Sequence, residues 1–307
     1  MDYELVIIGA GPAGLSAAIY ASRSGIDNVV LDSASGGGMV PENPVVENYP
    51  GFPEISGMEL AEKFKEHARK YTELQYRTDV ENITKEDSAF TLNTDQGKIR
   101  SKAIIFATGT KHRHLDIEGE KEFRGKGISY CATCDGPLFN GSDLVVIGGG
   151  STALTETLYL NEMDDDREIT LVHRRDQFRG EEALVEKLKR KKVNLKMKYN
   201  PVQIYGDDFV KGVKVENVET GKEEDISCEG VFVSIGEIPQ NDLAVSMGVE
   251  VDEKGYIETD EKMETNISGV YAAGDVTGGI RQIVTAVSEG AIAALNSLAT
   301  LGKDYPY

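Results

Sequence analysis

A short apolar run followed at once by a glycine-rich turn occurs twice in this chain, and that repetition restricts the fold more than any other feature. Leu5-Val6-Ile7-Ile8 leads into Gly9-Ala10-Gly11-Pro12-Ala13-Gly14, and Leu144-Val145-Val146-Ile147 leads into Gly148-Gly149-Gly150-Ser151-Thr152-Ala153. Four apolar residues are too few for a helix and suit a buried parallel strand. A segment of good helix propensity follows each turn, to Arg23 in the first copy and to about Asn161 in the second. The glycines permit a tight turn, close backbone approach to a pyrophosphate and close packing of helix on strand. The phosphate then rests on unpaired N–H groups at the helix start. The offset of 139 residues from Gly9 to Gly148 marks two similar domains. The expected class is α/β, with two Rossmann-like dinucleotide-binding domains.

The end of the next strand distinguishes the copies. Asn28-Val29-Val30-Leu31 ends at Asp32, where an acid can accept hydrogen bonds from a ribose hydroxyl. Ile169-Thr170-Leu171-Val172 ends instead at His173-Arg174-Arg175, with Arg179 one turn further on. A 2′-hydroxyl wants an acceptor, whereas a 2′-phosphate wants guanidinium donors. The first site therefore suits FAD and the second NADPH.

Between the copies, Ser33 to Pro44 reads as a loop that continues through Val46–Phe52, and an amphipathic helix spans about Gly57 to Tyr71. Alternating strands fill Asp79 to Lys102 with a turn at Gln96-Gly97, and Ala103-Ile104-Ile105-Phe106 ends at Ala107-Thr108-Gly109. The second copy repeats this plan, with Asp164-Asp165-Asp166 as a solvated turn and a meander over Val202 to Ile226. Its closing strand runs from Val231 to Gly236, with Cys228 as a buried thiol at its entry. The last segment belongs to neither complete copy. Gly269–Asp275 reads as a strand presenting an acid suited to a flavin's ribityl chain, and Gly278 to Leu298 as a long helix. That segment is expected to complete the first domain. The first domain is then discontinuous, over 1–112 and 243–307, with the nucleotide domain inserted over 113–242.

Cys131-Ala132-Thr133-Cys134-Asp135 lies between the two fingerprints. A C-x-x-C can be half of a zinc site or a structural disulfide, but zinc needs about four ligands. Cys228, the one other cysteine, is distant and has no histidine at ligand spacing. No metal is expected. Two thiols at this spacing can close and reopen a small ring, storing two electrons, and the adjoining acid can exchange a proton. With 33 Lys and Arg against 52 Asp and Glu, the net charge of −19 disfavours a nucleic-acid role. No apolar run approaches the roughly 20 residues of a membrane span, and Met1-Asp2-Tyr3-Glu4 lacks a basic leader. Three cysteines without a signal segment point to the cytoplasm.

Taken in order, these motifs resemble the low-molecular-weight, two-domain thioredoxin reductases from end to end. The resemblance is carried by Gly9, Gly11 and Gly14, Glu47-Asn48-Tyr49-Pro50-Gly51, Ala107-Thr108-Gly109 and Cys131 to Gly136. It continues through Gly148 to Ala153, His173-Arg174-Arg175 with Arg179, Gly274-Asp275 and Arg281-Gln282. It implies a homodimer in which NADPH reduces FAD, FAD reduces the disulfide, and the dithiol reduces thioredoxin. Cys134 is implied to face the flavin, Cys131 to attack the thioredoxin disulfide, and Asp135 to act as acid and base. FAD is implied to contact Gly9, Gly11, Pro12, Ala13, Gly14, Asp32, Asn48, Thr108 and Gly109, with Gly274, Asp275, Arg281, Gln282 and Ile283. NADPH is implied to contact Gly148, Gly150, Ser151, Thr152 and Ala153, then His173, Arg174, Arg175, Arg179 and Gly236. The chain departs from the family at Gly38-Met39, where Gly-Gln is usual near the flavin, and at Asp32, where glutamate is commoner. The implied relay also requires the nucleotide domain to turn about crossings near Lys111–Leu115 and Pro239–Leu243.

Competing functions share these motifs in part. Relatives of the same fold take electrons from ferredoxin or a deazaflavin, or oxidise small dithiols, and typically lack the basic cluster. A non-catalytic flavin or nucleotide sensor would need no complete relay.

Overall fold

The computed structural model describes residues 1–43, 45–86, 89–164 and 167–304, so Pro44 of the expected loop and Asp165 and Asp166 of the expected turn lie outside the described residues. The chain divides into two compact units, Met1–Lys111 with Ile238–Tyr307, and His112–Glu237.

The first unit opens with β1 (Leu5–Ile8), α1 (Pro12–Arg23), β2 (Asn28–Asp32), α2 (Gly57–Ala68) and β3 (Glu73–Tyr76). An antiparallel meander comes next, β4 (Val80–Glu86), β5 (Ala89–Thr94) and β6 (Gly97–Ser101), then β7 (Ala103–Phe106) and β8 (Thr110–His112). The second unit contains β9 (Ile128–Ser129), α3 (Ala132–Asp135), β10 (Leu144–Gly148), α4 (Ser151–Met163), β11 (Ile169–His173), α5 (Glu182–Leu188) and β12 (Val193–Met197). Its own meander is β13 (Tyr199–Gly206), β14 (Val210–Asn217) and β15 (Glu223–Ser227), before β16 (Gly230–Ser234); β17 (Glu237–Pro239) then crosses back to the first unit. The first unit resumes with α6 (Asp242–Ser246), β18 (Val270–Ala272) and α7 (Ile283–Thr300).

Each unit is built on a five-stranded parallel sheet. The orders are β18-β7-β1-β2-β3 and β12-β11-β10-β16-β9. The two orders are one plan, with β10, β11, β12, β16 and β9 standing for β1, β2, β3, β7 and β18. Strand period places alternate side chains on opposite faces, and both faces are covered. Leu5 and Ile7 pack with α1 and α7, while Val6 and Ile8 pack toward the meander side. Leu144 and Val146, against Val145 and Ile147, divide in the same way. Complete burial of each such side chain stabilises the unit by about 1.5–3 kcal/mol. Where the chain passes between units, β8 and β17 pair as a two-stranded ribbon.

Three local expectations are corrected. The C-terminal helix begins at Ile283, not Gly278, because Gly278 and Gly279 have φ of +82° and +67°, outside the right-handed helical region. Gln282 and Thr285 then form a reciprocal capping box that starts α7. The amphipathic helix stops at Ala68, three residues short of Tyr71. There the chain turns so that the Thr72 hydroxyl donates to Asn28 O at 2.7 Å and β3 can join the sheet. Asp164 is not a solvated turn residue: it is half-buried and pairs at 3.5 Å with the buried Arg167. By length and composition α7 is apolar enough to cross a membrane. Its small-residue face nevertheless packs on α1, where a Cβ on Gly290 would lie 2.0 Å from Ala13 O.

Candidate redox turn and dinucleotide loops

The dithiol turn grows out of β9. Ser129 is opposite Phe232 of β16, so Ser129, Phe232 and, two residues on, Ser234 share one face of the sheet. Phe232 packs there with Ala132 of α3 and Leu154 and Leu158 of α4, which makes the two serines polar positions on an apolar face. Cys131 is the extended residue before α3, and its carbonyl accepts from the backbone N–H groups of Cys134 (3.2 Å) and Asp135 (3.0 Å). This single turn brings the Cα atoms of Cys131 and Cys134 to 5.3 Å, and their sulfurs are joined as a disulfide. Thr133 Oγ1 lies 3.5 Å from Cys131 Sγ.

Asp135 is 8% exposed, and burial raises the proton affinity of its carboxyl, partly opposed by the hydrogen bond from Ser129. The Ser129 hydroxyl donates to Asp135 Oδ2 at 2.7 Å and accepts from Cys131 N at 3.1 Å. Asp135 Oδ1 is buried with no hydrogen-bond partner among the described residues. On the other side of the turn, Glu156 of α4 accepts from Ala132 N at 3.4 Å and from the Ser234 hydroxyl. Ahead of the turn, Tyr130 donates to Glu120 at 2.8 Å, and Glu120 also accepts from Leu115 N and Asp116 N. Ser129, Glu156 and Ser234 are functional candidates that sequence reasoning misses. A signal is present for Glu156, an acid among the buried Ala153, Thr157 and Leu160 of α4, where a carboxylate demands donors.

The first glycine loop is dictated by close approach. A Cβ on Gly9 would sit 2.2 Å from Ala107 O, and one on Gly14 would sit 1.8 Å from Gly9 O. Asp32 anchors the loop, its Oδ2 accepting from Ala10 N at 2.7 Å and its Oδ1 from Ala34 N at 2.8 Å. Each oxygen keeps a second acceptor site. In the second loop the position of Ala10 is taken by Gly149 and that of Asp32 by His173. A Cβ on Gly149 would fall 2.1 Å from the His173 ring. His173 is buried, stacks on Phe178 at 5.4 Å, and contacts Gln177 O at 3.0 Å through Nε2. Burial lowers its proton affinity, so it stands apart from the basic group it borders in sequence. Arg174, Arg175 and Arg179 are exposed, and among the described residues no carboxylate pairs with their guanidiniums. Arg179 N donates to Gly149 O at 2.7 Å, which ties the arginine segment to the loop. Ser151 Oγ accepts from Glu181 N at 3.1 Å, while Thr152 is exposed. Neither α1 nor α4 has a side-chain cap, since Gly11 and Gly150 hold the capping positions. Their first-turn N–H groups therefore suit a pyrophosphate.

The other expected residues fall into two groups. In the first unit, Asn48 Nδ2 donates to Gln282 Oε1 at 3.0 Å, Arg281 donates to Tyr256 OH at 3.2 Å, and Ile283 packs against the cluster that includes Tyr49 and Phe52. Gly274 takes φ +82°, and its N–H donates to Glu289 Oε2 at 2.8 Å, which fixes the corner at the half-buried Asp275. Gly38, at the site of the family departure, lies against Gly11, where an added Cβ would come within 3.3 Å of Gly11 Cα. Thr108, Gly109 and Gly236 belong to the passages between units. Thr108 Oγ1 donates to Gln240 O at 2.6 Å, Gly109 O accepts from Gln240 N at 3.0 Å, and Gly236 O accepts from Arg113 N at 3.0 Å. Cys228 is buried, with its thiol pushed up to about 12 by burial.

A disulfide beside a buried acid, carried by one of two linked dinucleotide-type units, matches the family model for pyridine nucleotide-disulphide oxidoreductases over residues 3–290. The chain belongs to that family. Members of this family pair a flavin with a nicotinamide cofactor and a disulfide. Among similar proteins, the thioredoxin reductase of Treponema pallidum is 41% identical over 296 residues, 95% of each chain. A 34.2 kDa protein in the rubredoxin operon of Clostridium pasteurianum is 42% identical over 302 residues, 97% of each. The crystal structure of thioredoxin reductase from Streptococcus pyogenes superposes with a TM-score of 0.92, at 38% identity and over 98% of each chain.

Proposed function

We propose that this chain is an NADPH-dependent thioredoxin reductase containing FAD. The single observation that carries the reading is the Cys131–Cys134 disulfide at the end of β9, with the buried carboxyl of Asp135 hydrogen-bonded into the same turn. Names borne by the relatives point the same way. Bound flavin would supply a two-electron carrier between nicotinamide and disulfide.

The chain's own residues divide the remaining work. Gly9 to Gly14 and the uncapped start of α1 would hold the FAD pyrophosphate, Asp32 its adenosine ribose and Asp275 its ribityl chain. The start of α4 would hold the NADPH pyrophosphate, with Arg174, Arg175 and Arg179 on the 2′-phosphate. Cys131 would attack the thioredoxin disulfide, Cys134 would resolve the mixed disulfide, and Asp135 would carry a proton between sulfur atoms. A partner as bulky as thioredoxin and a nicotinamide both need access, so the inserted unit would turn about the crossings near Lys111–Leu115 and Pro239–Leu243. A homodimer and a cytoplasmic location complete the reading.

One assay tests it. NADPH oxidation followed with and without an oxidised thioredoxin should be slow alone and fast with the partner. Equal rates in the two cuvettes would remove thioredoxin as substrate.

A further inference from the structure

We propose that Ser129 is a positioning residue for the acid of the redox turn, fixing Asp135 so that its transferable proton resides on Oδ1. The inference rests on the reading of Cys131 and Cys134 as a dithiol that exchanges with an external disulfide.

The geometry assigns each polar atom of Ser129 a task. Its oxygen accepts from Cys131 N at 3.1 Å, and its hydroxyl lies 2.7 Å from Asp135 Oδ2 and 3.3 Å from Cys131 O. That carbonyl is already served by the N–H groups of Cys134 and Asp135. The shorter, charge-assisted partner is the carboxylate, so the hydroxyl proton points at Oδ2. A proton taken up by Asp135 must then go to the other oxygen. Oδ1 is buried and has no hydrogen-bond partner among the described residues, so none of them holds that proton back. The hydroxyl stabilises the ionised acid, whereas burial favours the protonated one. Ser129 opposes burial, and without it burial acts alone on the carboxyl.

The chemistry needs this balance. In exchange with an external disulfide, one S–S bond is broken and one closed between Cys131 and Cys134. Two electrons and two protons pass from the dithiol to the substrate sulfurs. A carboxyl beside the turn must take a proton from one sulfur and return it to another, which needs an acid neither permanently ionised nor permanently protonated. The other titratable groups packed around the turn are the two cysteines of the redox ring, Glu156 and Tyr159 of α4, and Tyr130 on the β9 side. Glu156 is engaged by Ala132 N and Ser234, and Tyr130 by Glu120. Asp135 is thus the acid whose free oxygen is left for transfer.

The test is the titration of the Asp135 carboxyl in the intact, oxidised protein by carbon-13 NMR of labelled aspartate, its signal assigned by loss in Asp135→Asn. Ser129→Ala should move that midpoint to higher pH by about one unit, the scale of one hydrogen bond to a charged group. Ser129→Cys, a weaker donor of similar size, should give a smaller shift in the same direction. The pH profile of single-turnover exchange between the reduced protein and a thioredoxin disulfide should move by the same amount. Ser129→Ala combined with Asp135→Asn should match Asp135→Asn alone. A serine that only packs would lower the melting temperature and leave both midpoints in place, which would overturn the proposal. So would a downward shift, or an added effect in the double variant. Because the titration needs neither cofactor nor substrate, its failure sinks this inference alone, whereas absent thioredoxin-dependent NADPH oxidation by the unmodified protein would sink the reading beneath it.

Discussion

The fifth strand of each sheet occupies the same place and ends in an opposite kind of corner. In the first unit β18 leads into Gly274 and Asp275, with a positive φ and no sulfur. In the second unit β9 leads into Cys131 to Asp135, a disulfide closed across one helical turn. Both corners are held by a carboxylate from a helix on the backbone N–H of the turn, Glu289 on Gly274 and Glu156 on Ala132. On the proposed function, one scaffold position would grip a ligand in one copy and carry the reacting atoms in the other. The second-strand ends differ in parallel, with a carboxylate at Asp32 against exposed guanidiniums after His173.

The sharpest way to break this comparison is to remove the sulfur. Cys131→Ser and Cys134→Ser should each lower thioredoxin reduction to below about one thousandth while NADPH still bleaches the flavin. Substantial turnover by either variant would mean that the β9 corner is no more reactive than the β18 corner.

Next in size is the contrast at the second strand. If the arginines hold the 2′-phosphate as proposed, replacing Arg174 and Arg175 by Ala removes two charge-assisted contacts of roughly 1.5–3 kcal/mol each. The kcat/KM for NADPH should fall by about 10²–10⁴-fold, with the NADH value unchanged within a factor of about two. Equal losses for both cofactors would show that the arginines only support the loop.

How much of this is legible in the sequence depends on the range over which each signal acts. Strand, glycine turn and helix are local, so both loops and both sheets can be read from apolar runs and turn chemistry. The discontinuous first domain comes from counting copies. The start of α7 is misplaced because Gly278 and Gly279 sit before a helical pattern that begins only at the Gln282 cap. Ser129 and Ser234 are invisible because their meaning lies in a register between strands about a hundred residues apart in sequence. His173 reads with its basic neighbours, although β11 ends on it with its ring buried against Gly149 and Phe178, and the arginines beyond the strand stay exposed.

The smallest expected effect sharpens that last difference. Gly149→Ala drives a methyl group into the His173 ring and should destabilise the second unit by about 1–3 kcal/mol in denaturant unfolding. Adding His173→Asp recreates the Ala10–Asp32 pairing of the first copy and should recover most of that loss. Failure to recover it would show that the two loops are not interchangeable at this pair.

The return of the chain to its first unit has a consequence for synthesis on the ribosome. β18 pairs with β7 through Val270 and Ile104, and α7 closes over α1 only after the whole inserted unit has been made. The inserted unit draws every strand of its sheet from one continuous segment and can fold while translation continues. The opening third of the chain must wait, with the β7 edge unpaired and the α1 face bare, for a partner that emerges last. Such an edge invites pairing with a neighbouring nascent chain. A stop codon just before β18 would therefore leave a folded nucleotide unit joined to an incomplete and aggregation-prone first unit.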